Sequence, residues 1–282
     1  MDKIIDGKLV RETVKGELKK EIGELKEELT LAVIQVGNNE ASNIYVNNKI
    51  KLCNEIGINS IHKKFDDIIT EEELINEIEK LNSDDSVNGI LVQLPLPDVF
   101  NTKKVINTIS YLKDVDGLTT TNIGKLYNDE ESIVPCTALG VIKLLDYYNI
   151  NLEGRNVAVV GRSTLVGRPL FKLLLDRNAT VTMCHSKTSN LENVLKTKDI
   201  IISATGKKGL IKKEMVKDGA VVIDVGITRV DNKIYGDVDF DEVYDKVSFI
   251  TKVPGGVGPM TVICLMENTL NCYKLQKNNK NN

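Results

Sequence analysis

No stretch of roughly 18 uninterrupted apolar residues occurs in the chain, so a membrane-spanning helix is not expected and a membrane is not an expected partner. The first twenty residues, MDKIIDGKLVRETVKGELKK, carry charges from the second position on and lack the apolar run of a signal peptide. An excess of one charge is also missing: 37 Lys plus Arg against 40 Asp plus Glu leave a formal net charge of −3. Without a basic block before the tail, and without basic residues interleaved with aromatics, nucleic acid is not an expected partner either. Cys-x-x-Cys spacing is absent, and the five cysteines (Cys53, Cys136, Cys184, Cys264, Cys272) are odd in number and scattered through apolar or strand-like contexts. They are read as reduced core thiols, which favours a cytoplasmic location. What the chain does have is 282 residues, 41% hydrophobic and 27% charged, enough for two soluble domains with sizeable cores.

In the first part, short β-branched runs alternate with helical periodicity: LAVIQVG from Leu31, a helix from Ala41, INSIHKKF from Ile58, a helix from Glu71, and GILVQLPLP from Gly89. Strands separated by amphipathic helices predict parallel βαβ units. After a helix near Ala138 to Tyr148 a second series begins: NVAVVG, a helix from Val166, ATVTMCHS, DIIISATG, AVVIDVG, and a further candidate strand VSFITKVP from Val247. That makes a second α/β unit of about 120 residues, an ordinary domain size. The last helical pattern, MTVICLMENTLNCYKL from Met260, is too apolar to stand alone, whereas the polar tail QKNNKNN reads as disordered.

VAVVGRSTLVGRPLFKLLL has the order strand, glycine turn, helix that suits a pyrophosphate on a helix N-terminus. It does not match G-x-G-x-x-G: counting from Gly161, the second and third glycine positions are Ser163 and Val166, and Gly167 falls one residue late. Taken alone the turn is either a nucleotide site or a structural βα turn. An NAD site also expects an acidic residue ~20 positions on. Here the second strand ends in Cys184, His185, Ser186 and Lys187, while Arg162 sits in the turn itself. A cation and a hydroxyl suit the 2′-phosphate of NADP better than a bare ribose. His185 is read as a surface residue beside a strand end. Thr205-Gly206 and Val225-Gly226-Ile227 end later strands at the carboxyl edge, where such sheets bind ligands.

Elsewhere four features invite a chemical reading. IYVNNK sets Tyr45 and Lys49 four residues apart on one helical face. Such a pair occurs in short-chain dehydrogenases, but there it follows the nucleotide turn, and here it lies far upstream of Gly161; a solvated helix carries such pairs too. Gln93, at the end of a strongly apolar strand, needs partners, which a loop backbone or an active site can supply. KDVDG presents Asp114 and Asp116 before a glycine, the composition of a turn as much as of a site; further oxygen ligands for a metal are not evident, so none is expected. VPGGVGPMT packs three glycines and two prolines before a helix, a tight loop approached closely by a ligand or by neighbouring backbone.

Taken in order, VGNNEASNIYVNNKIKLCNEIGI, GILVQLPLP, KDVDG, PCTALG, VVGRSTLVGRP, ATVTMCHSKT, VIDVGI, GDVDF and VPGGVGPMT resemble the bifunctional methylenetetrahydrofolate dehydrogenase/methenyltetrahydrofolate cyclohydrolase family across essentially the whole chain. The resemblance implies two α/β domains around a cleft: a folate-binding catalytic domain over 1–136 and 261–282, and a Rossmann-type NADP-binding domain over 137–260. It implies oxidation of 5,10-methylenetetrahydrofolate with NADP, then hydrolysis of the methenyl product to 10-formyltetrahydrofolate, in a homodimer. Carried over by motif, Lys49, Tyr45, Gln93 and Asp116 are the catalytic positions, with Tyr45, Asp116, Gly258 and Pro259 on the folate. Gly161, Arg162, Ser163, Ser186 and Ile227 are the cofactor positions.

In that scheme the hydrolytic step asks for general acid–base help near neutral pH, and a lysine, ordinarily near ~10.4, becomes useful when burial or a neighbouring cation lowers it. Lys49 then either moves the proton or positions the water that does. The chain departs from the family pattern at Leu118, Thr119 and Thr120 after KDVDG, at Ala138, and at Lys208; Lys207 and Lys208 either raise the potential near the cofactor or are a solvated pair. None of these touches Lys49, Gln93 or Asp116, so both activities are expected. A single-activity, NAD-preferring dehydrogenase and a non-catalytic ligand-binding homologue are the alternatives.

Overall fold

The computed structural model of the chain describes residues 3–231 and 233–280, with Ala41 described by its backbone only. In chain order its elements begin with β1 (Ile4–Ile5), α1 (Gly7–Gly23), β2 (Leu29–Val36), α2 (Glu40–Ile56), β3 (Ile58–Phe65), α3 (Glu71–Ser83), β4 (Gly89–Val92), α4 (Thr102–Thr108), α5 (Thr120–Tyr127) and α6 (Cys136–Tyr147). They continue with β5 (Asn156–Val160), α7 (Gly167–Asp176), β6 (Thr180–Cys184), α8 (Leu191–Leu195), β7 (Ile200–Ser203), β8 (Val221–Asp224), β9 (Thr228–Val230), β10 (Lys233–Tyr235), α9 (Phe240–Val243), β11 (Phe249–Thr251) and α10 (Val257–Lys280). The chain divides into two compact α/β units, Thr13–Cys136 with the residues from Val262 on, and Thr137–Thr261 with the N-terminal residues through Glu12.

The unit containing Thr13–Cys136 is built on a parallel sheet in the order β3-β2-β4. Every residue of GILV in β4 is buried and nearly every one in β2, the continuous apolar run of a strand covered on both faces. β3, at the edge, alternates, with His62 and Lys64 outward. α3 starts from a capping box, Thr70 accepting from the Glu73 amide while Glu73 returns the bond to the Thr70 amide, and buries Leu74, Ile78 and Leu81 one face deep. Each such side chain, withdrawn from water, contributes ~1.5–3 kcal/mol. α10 buries Ile263, Cys264, Leu265, Met266, Leu270 and Cys272 within the same unit, which explains why its sequence is apolar on all sides.

The second unit carries a six-stranded sheet among the described residues, in the order β1-β11-β8-β7-β5-β6, with every pairing parallel. After β1 the next strand to enter is β5, with β6 on one side of it and β7 on the other, so the strand order reverses at β5 and opens a crevice at its carboxyl end. A small antiparallel ribbon, β9 with β10, follows β8.

Two expectations are corrected. Residues near the N-terminus, expected in the first domain, belong to the six-stranded sheet: Ile4 and Ile5 pair with Ile250 and Thr251, and the Ile250 amide donates to the Lys3 carbonyl. A two-residue strand leaves too short a pattern to read. The tail expected to be disordered is helical through Lys280, because Gln276 Nε2 donates to the Asn88 and Leu112 carbonyls and Lys277 pairs with Glu27; Asn281 and Asn282 lie outside the described residues. Among the described residues no helix is long and apolar enough to cross a membrane.

Candidate active site

α2 is framed at both ends. Asn39 accepts from the Ser42 amide at 3.1 Å, and Gly57 closes the helix in the left-handed conformation with its amide on the Cys53 carbonyl. Gln35, buried in β2, reinforces the first turn: its Nε2 donates to Asn43 Oδ1 at 2.7 Å while its Oε1 meets His62 Nε2 at 3.1 Å. On this helix Tyr45 is 39% exposed and Lys49 half-buried, on one face as their spacing requires.

β4 stops at Val92, one residue before the amide expected at its end. The Gln93 backbone amide still donates to the Ile34 carbonyl at 2.8 Å, so the residue stays tied to β2. Its side-chain Nε2 donates to the Leu94 carbonyl at 2.6 Å, and its Oε1 accepts from Lys49 Nζ at 2.9 Å. With the nitrogen committed to a carbonyl, the oxygen can only face the ammonium; both ends of the amide orient the lysine.

The two aspartates of KDVDG separate into different roles. Asp114 is 1% exposed and accepts from the Thr119 amide at 2.8 Å and Asn122 Nδ2 at 2.9 Å, which makes it the anchor of its own loop. Asp116 is half-buried, and burial raises its carboxyl pKa; the Lys49 ammonium opposes that rise, Asp114 adds to it, and a hydrogen bond with Cys136 opposes it again. Lys49 and Asp116 therefore sense each other's charge. The loop is fastened from α10 by Asn268, whose Nδ2 donates to the Val115 carbonyl at 2.9 Å and the Val134 carbonyl at 2.8 Å. Neither Asn268 nor Gln35 was singled out by sequence; an Asn inside the apolar run of α10 and a Gln inside β2 were the available signals. Among the described residues no three His, Cys, Asp or Glu side chains are grouped to hold a metal ion.

In the second unit the crevice at the carboxyl end of β5 is a cavity of about 440 Å³ lined by Gly161, Arg162 and Ser163 after β5, His185, Ser186 and Thr188 after β6, and Ala204, Thr205 and Lys207 after β7. Its turn requires glycine twice. Gly161 has φ +124°, and a Cβ there would lie 2.4 Å from the Ala204 carbonyl oxygen; a Cβ on Gly167 would lie 2.0 Å from the Gly161 carbonyl oxygen. The departure from G-x-G-x-x-G is thus filled by a glycine one position later that lets α7 close on the turn. Ser163 Oγ accepts from the Val166 amide at 3.2 Å, bracing the turn, and a hydroxyl that accepts keeps its own proton to donate. Arg162 and Ser186 are exposed at the cavity. His185 serves its loop: its Nδ1 accepts from the Lys187 amide at 3.1 Å and its own amide donates to Thr188 Oγ1. Lys207 lines the cavity, whereas Lys208 lies over the Tyr235 ring at 3.4 Å. Ile227 is 47% exposed beyond β8. Gly258 and Pro259 occupy the first turn of α10, in the unit of the six-stranded sheet, while Tyr45, Lys49, Gln93 and Asp116 belong to the other.

Known proteins resemble both units. The model of the tetrahydrofolate dehydrogenase/cyclohydrolase catalytic domain matches residues 5–116, and that of the family's NAD(P)-binding domain matches residues 135–277. A protein of Agathobacter rectalis described as bifunctional protein FolD is 51% identical over 97% of this chain and 100% of its own length, and one of Hydrogenobaculum sp. is 50% identical over 96% and 98%. Among solved structures, the bifunctional FolD methylenetetrahydrofolate dehydrogenase/cyclohydrolase of Campylobacter jejuni superposes with a TM-score of 0.95 at 47% identity, covering 97% of this chain and 99% of that one. The Trypanosoma brucei methylenetetrahydrofolate dehydrogenase-cyclohydrolase, complexed with NADP and an inhibitor, gives 0.92 at 35% identity, covering 97% of each chain.

Proposed function

Because the chain belongs to the tetrahydrofolate dehydrogenase/cyclohydrolase family, we propose that it is a bifunctional folate one-carbon enzyme. It oxidises 5,10-methylenetetrahydrofolate with NADP and hydrolyses the methenyl product to 10-formyltetrahydrofolate. The observation that carries this reading beyond family membership is the 2.9 Å bond from Lys49 Nζ to Gln93 Oε1, on the helix face shared with Tyr45 and within electrostatic reach of Asp116.

NADP, when bound, would supply a hydride acceptor, and the residues at the β5 crevice fit it: Arg162 would pair with the 2′-phosphate, Ser163 and Ser186 would donate to phosphate oxygens, and among the described residues no carboxylate lines the cavity to repel it. Loss of hydride leaves a cation delocalised over two nitrogens, so the chain's part in oxidation is mainly alignment. Hydrolysis needs more. Water adds to the methenyl carbon and gives up one proton; the second passes to the nitrogen whose C–N bond opens as the C=O of the formyl group forms. Lys49 is the residue for moving or positioning that proton, and Gln93 holds it on course. Asp116 accepts from the amino and ring N–H donors of the pterin, and Tyr45 packs on or hydrogen-bonds the folate. Gly258 and Pro259 would contact the folate, and Ile227 would border the nicotinamide. A cytoplasmic homodimer belongs to the same reading, and the burial of all five cysteines agrees with core thiols of such a compartment.

The test is a paired assay on one purified preparation: reduction of NADP or NAD by methylenetetrahydrofolate, and decay of the methenyl absorbance without cofactor. Both activities, with NADP preferred, are expected. Absence of either reduces the chain to a single-activity or ligand-binding protein, and a preference for NAD overturns the roles of Arg162 and Ser186.

A further inference from the structure

The loops bordering the β5 crevice are joined beneath by a carboxylate outside the cavity. Asp237, after β10, is 0% exposed. Its Oδ2 accepts from Ser203 Oγ at 2.8 Å and from the Thr205 amide at 2.6 Å, and its Oδ1 accepts from the Lys207 amide at 2.8 Å. A Cβ on Gly226 would lie 1.9 Å from the same Oδ1, so the segment after β8 presses directly on the carboxylate. Asp237 is itself held from below: its amide donates to Asp224 Oδ1 at 2.9 Å, and Asp224 also accepts from Gly226 and Val238 amides. Thr228 completes the arrangement by donating to the Gly206 carbonyl at 2.9 Å.

Resting on the NADP reading above, we propose that Asp237 is a positioning residue for the cofactor: it fixes the backbone of Thr205 to Lys207, and through Gly226 the segment leading to Ile227, in the conformation that receives the dinucleotide. The chemistry suits the task. Two consecutive-but-one amides, Thr205 and Lys207, point at one carboxyl group, which leaves the intervening Gly206, at φ +66°, as the apex of a turn at the cavity rim. A carboxylate can accept all three bonds at once, whereas the isosteric amide has one accepting oxygen and must turn an NH₂ toward one donor. Asp237→Asn therefore keeps the Ser203 and Thr205 bonds and loses the Lys207 bond, a loosening of the loop without an empty core.

Direct titration of NADP, by calorimetry and without folate, tests this together with steady-state kinetics. For Asp237→Asn the expected result is an NADP Kd and dehydrogenase KM for NADP raised ~10-fold, the cost of one hydrogen bond to a charged group, with cofactor-free cyclohydrolase kcat within about twofold of the parent. Ser203→Ala, which removes a donor that does not line the cavity, is expected to raise the NADP Kd a few-fold in the same direction. Unchanged NADP affinity in both variants, or a loss of cyclohydrolase parallel to the loss of NADP binding, overturns the proposal. Should Asp237→Asn fail to fold, Ser203→Ala decides. A parent protein that binds no NADP at all overturns instead the cofactor reading on which the proposal stands.

Discussion

Replacing Gln93 by leucine removes the hydrogen bond that ties the Lys49 ammonium to the residue after β4. The change removes the acceptor 2.9 Å from Nζ while leaving a side chain of similar size and the backbone bond to Ile34 intact. A hydrogen bond to a charged group contributes ~1.5–3 kcal/mol, and ~1.4 kcal/mol in a barrier is tenfold in rate. If the bond orients Lys49 for the water-adding step, cyclohydrolase kcat falls ~10- to 100-fold. The Leu94 carbonyl also loses its donor at 2.6 Å, which costs ~1 kcal/mol of stability and is measured separately by urea unfolding. Decay of methenyl absorbance under saturating substrate gives kcat. A value within twofold of the parent, with an unfolding midpoint that shows the protein intact, would mean that Gln93 does not guide the lysine.

Two further expectations concern the second unit. Gly161→Ala puts a Cβ 2.4 Å from the Ala204 carbonyl at φ +124°; it is expected to cost ~1–3 kcal/mol and to raise the dehydrogenase KM for NADP at least tenfold, with normal KM and stability as the contrary result. Asp224, 3% exposed, has its pKa pushed from 3.8 up to about 7, first by burial and then by the charge of Asp237, against the hydrogen bonds it accepts. The folded state thus holds this proton more tightly than the unfolded chain, so the associated stability is full below about pH 4 and lost as pH rises through about 7, on the order of 4 kcal/mol. The urea midpoint should fall between about pH 5 and pH 8, and a midpoint that is flat or rises over that range contradicts the assignment.

The alternation of apolar runs and helical periods was enough to read both α/β units, since parallel strands buried on two faces carry a strong apolar pattern. β3 begins and ends where INSIHKKF does, and α3 starts at the expected Glu71. What escaped were short elements whose existence depends on partners far along the chain. β1 is two residues that are a strand only because β11 is beside them, and the helical tail is held by Gln276 reaching the Asn88 and Leu112 carbonyls. At the candidate site the chemistry-bearing side chains were visible as residue types out of place: an amide after an apolar strand, an aspartate pair before glycine. The composition of KDVDG left Asp114 and Asp116 equivalent and only the family resemblance singled out Asp116; the hydrogen bonds of Asp114 to Thr119 and Asn122 separate them physically. Asp224 and Asp237, in VIDVGI and GDVDF, carried no periodic signal, because their partners are backbone amides of other loops.

The division of labour between Lys49 and the β5 crevice is the account's centre, and Lys49→Ala tests it with two rates from one preparation. Hydrolysis of the methenyl form should disappear while NADP-dependent oxidation of the methylene form falls far less. Cyclohydrolase at the parent rate, or both activities lost in equal proportion, would contradict it.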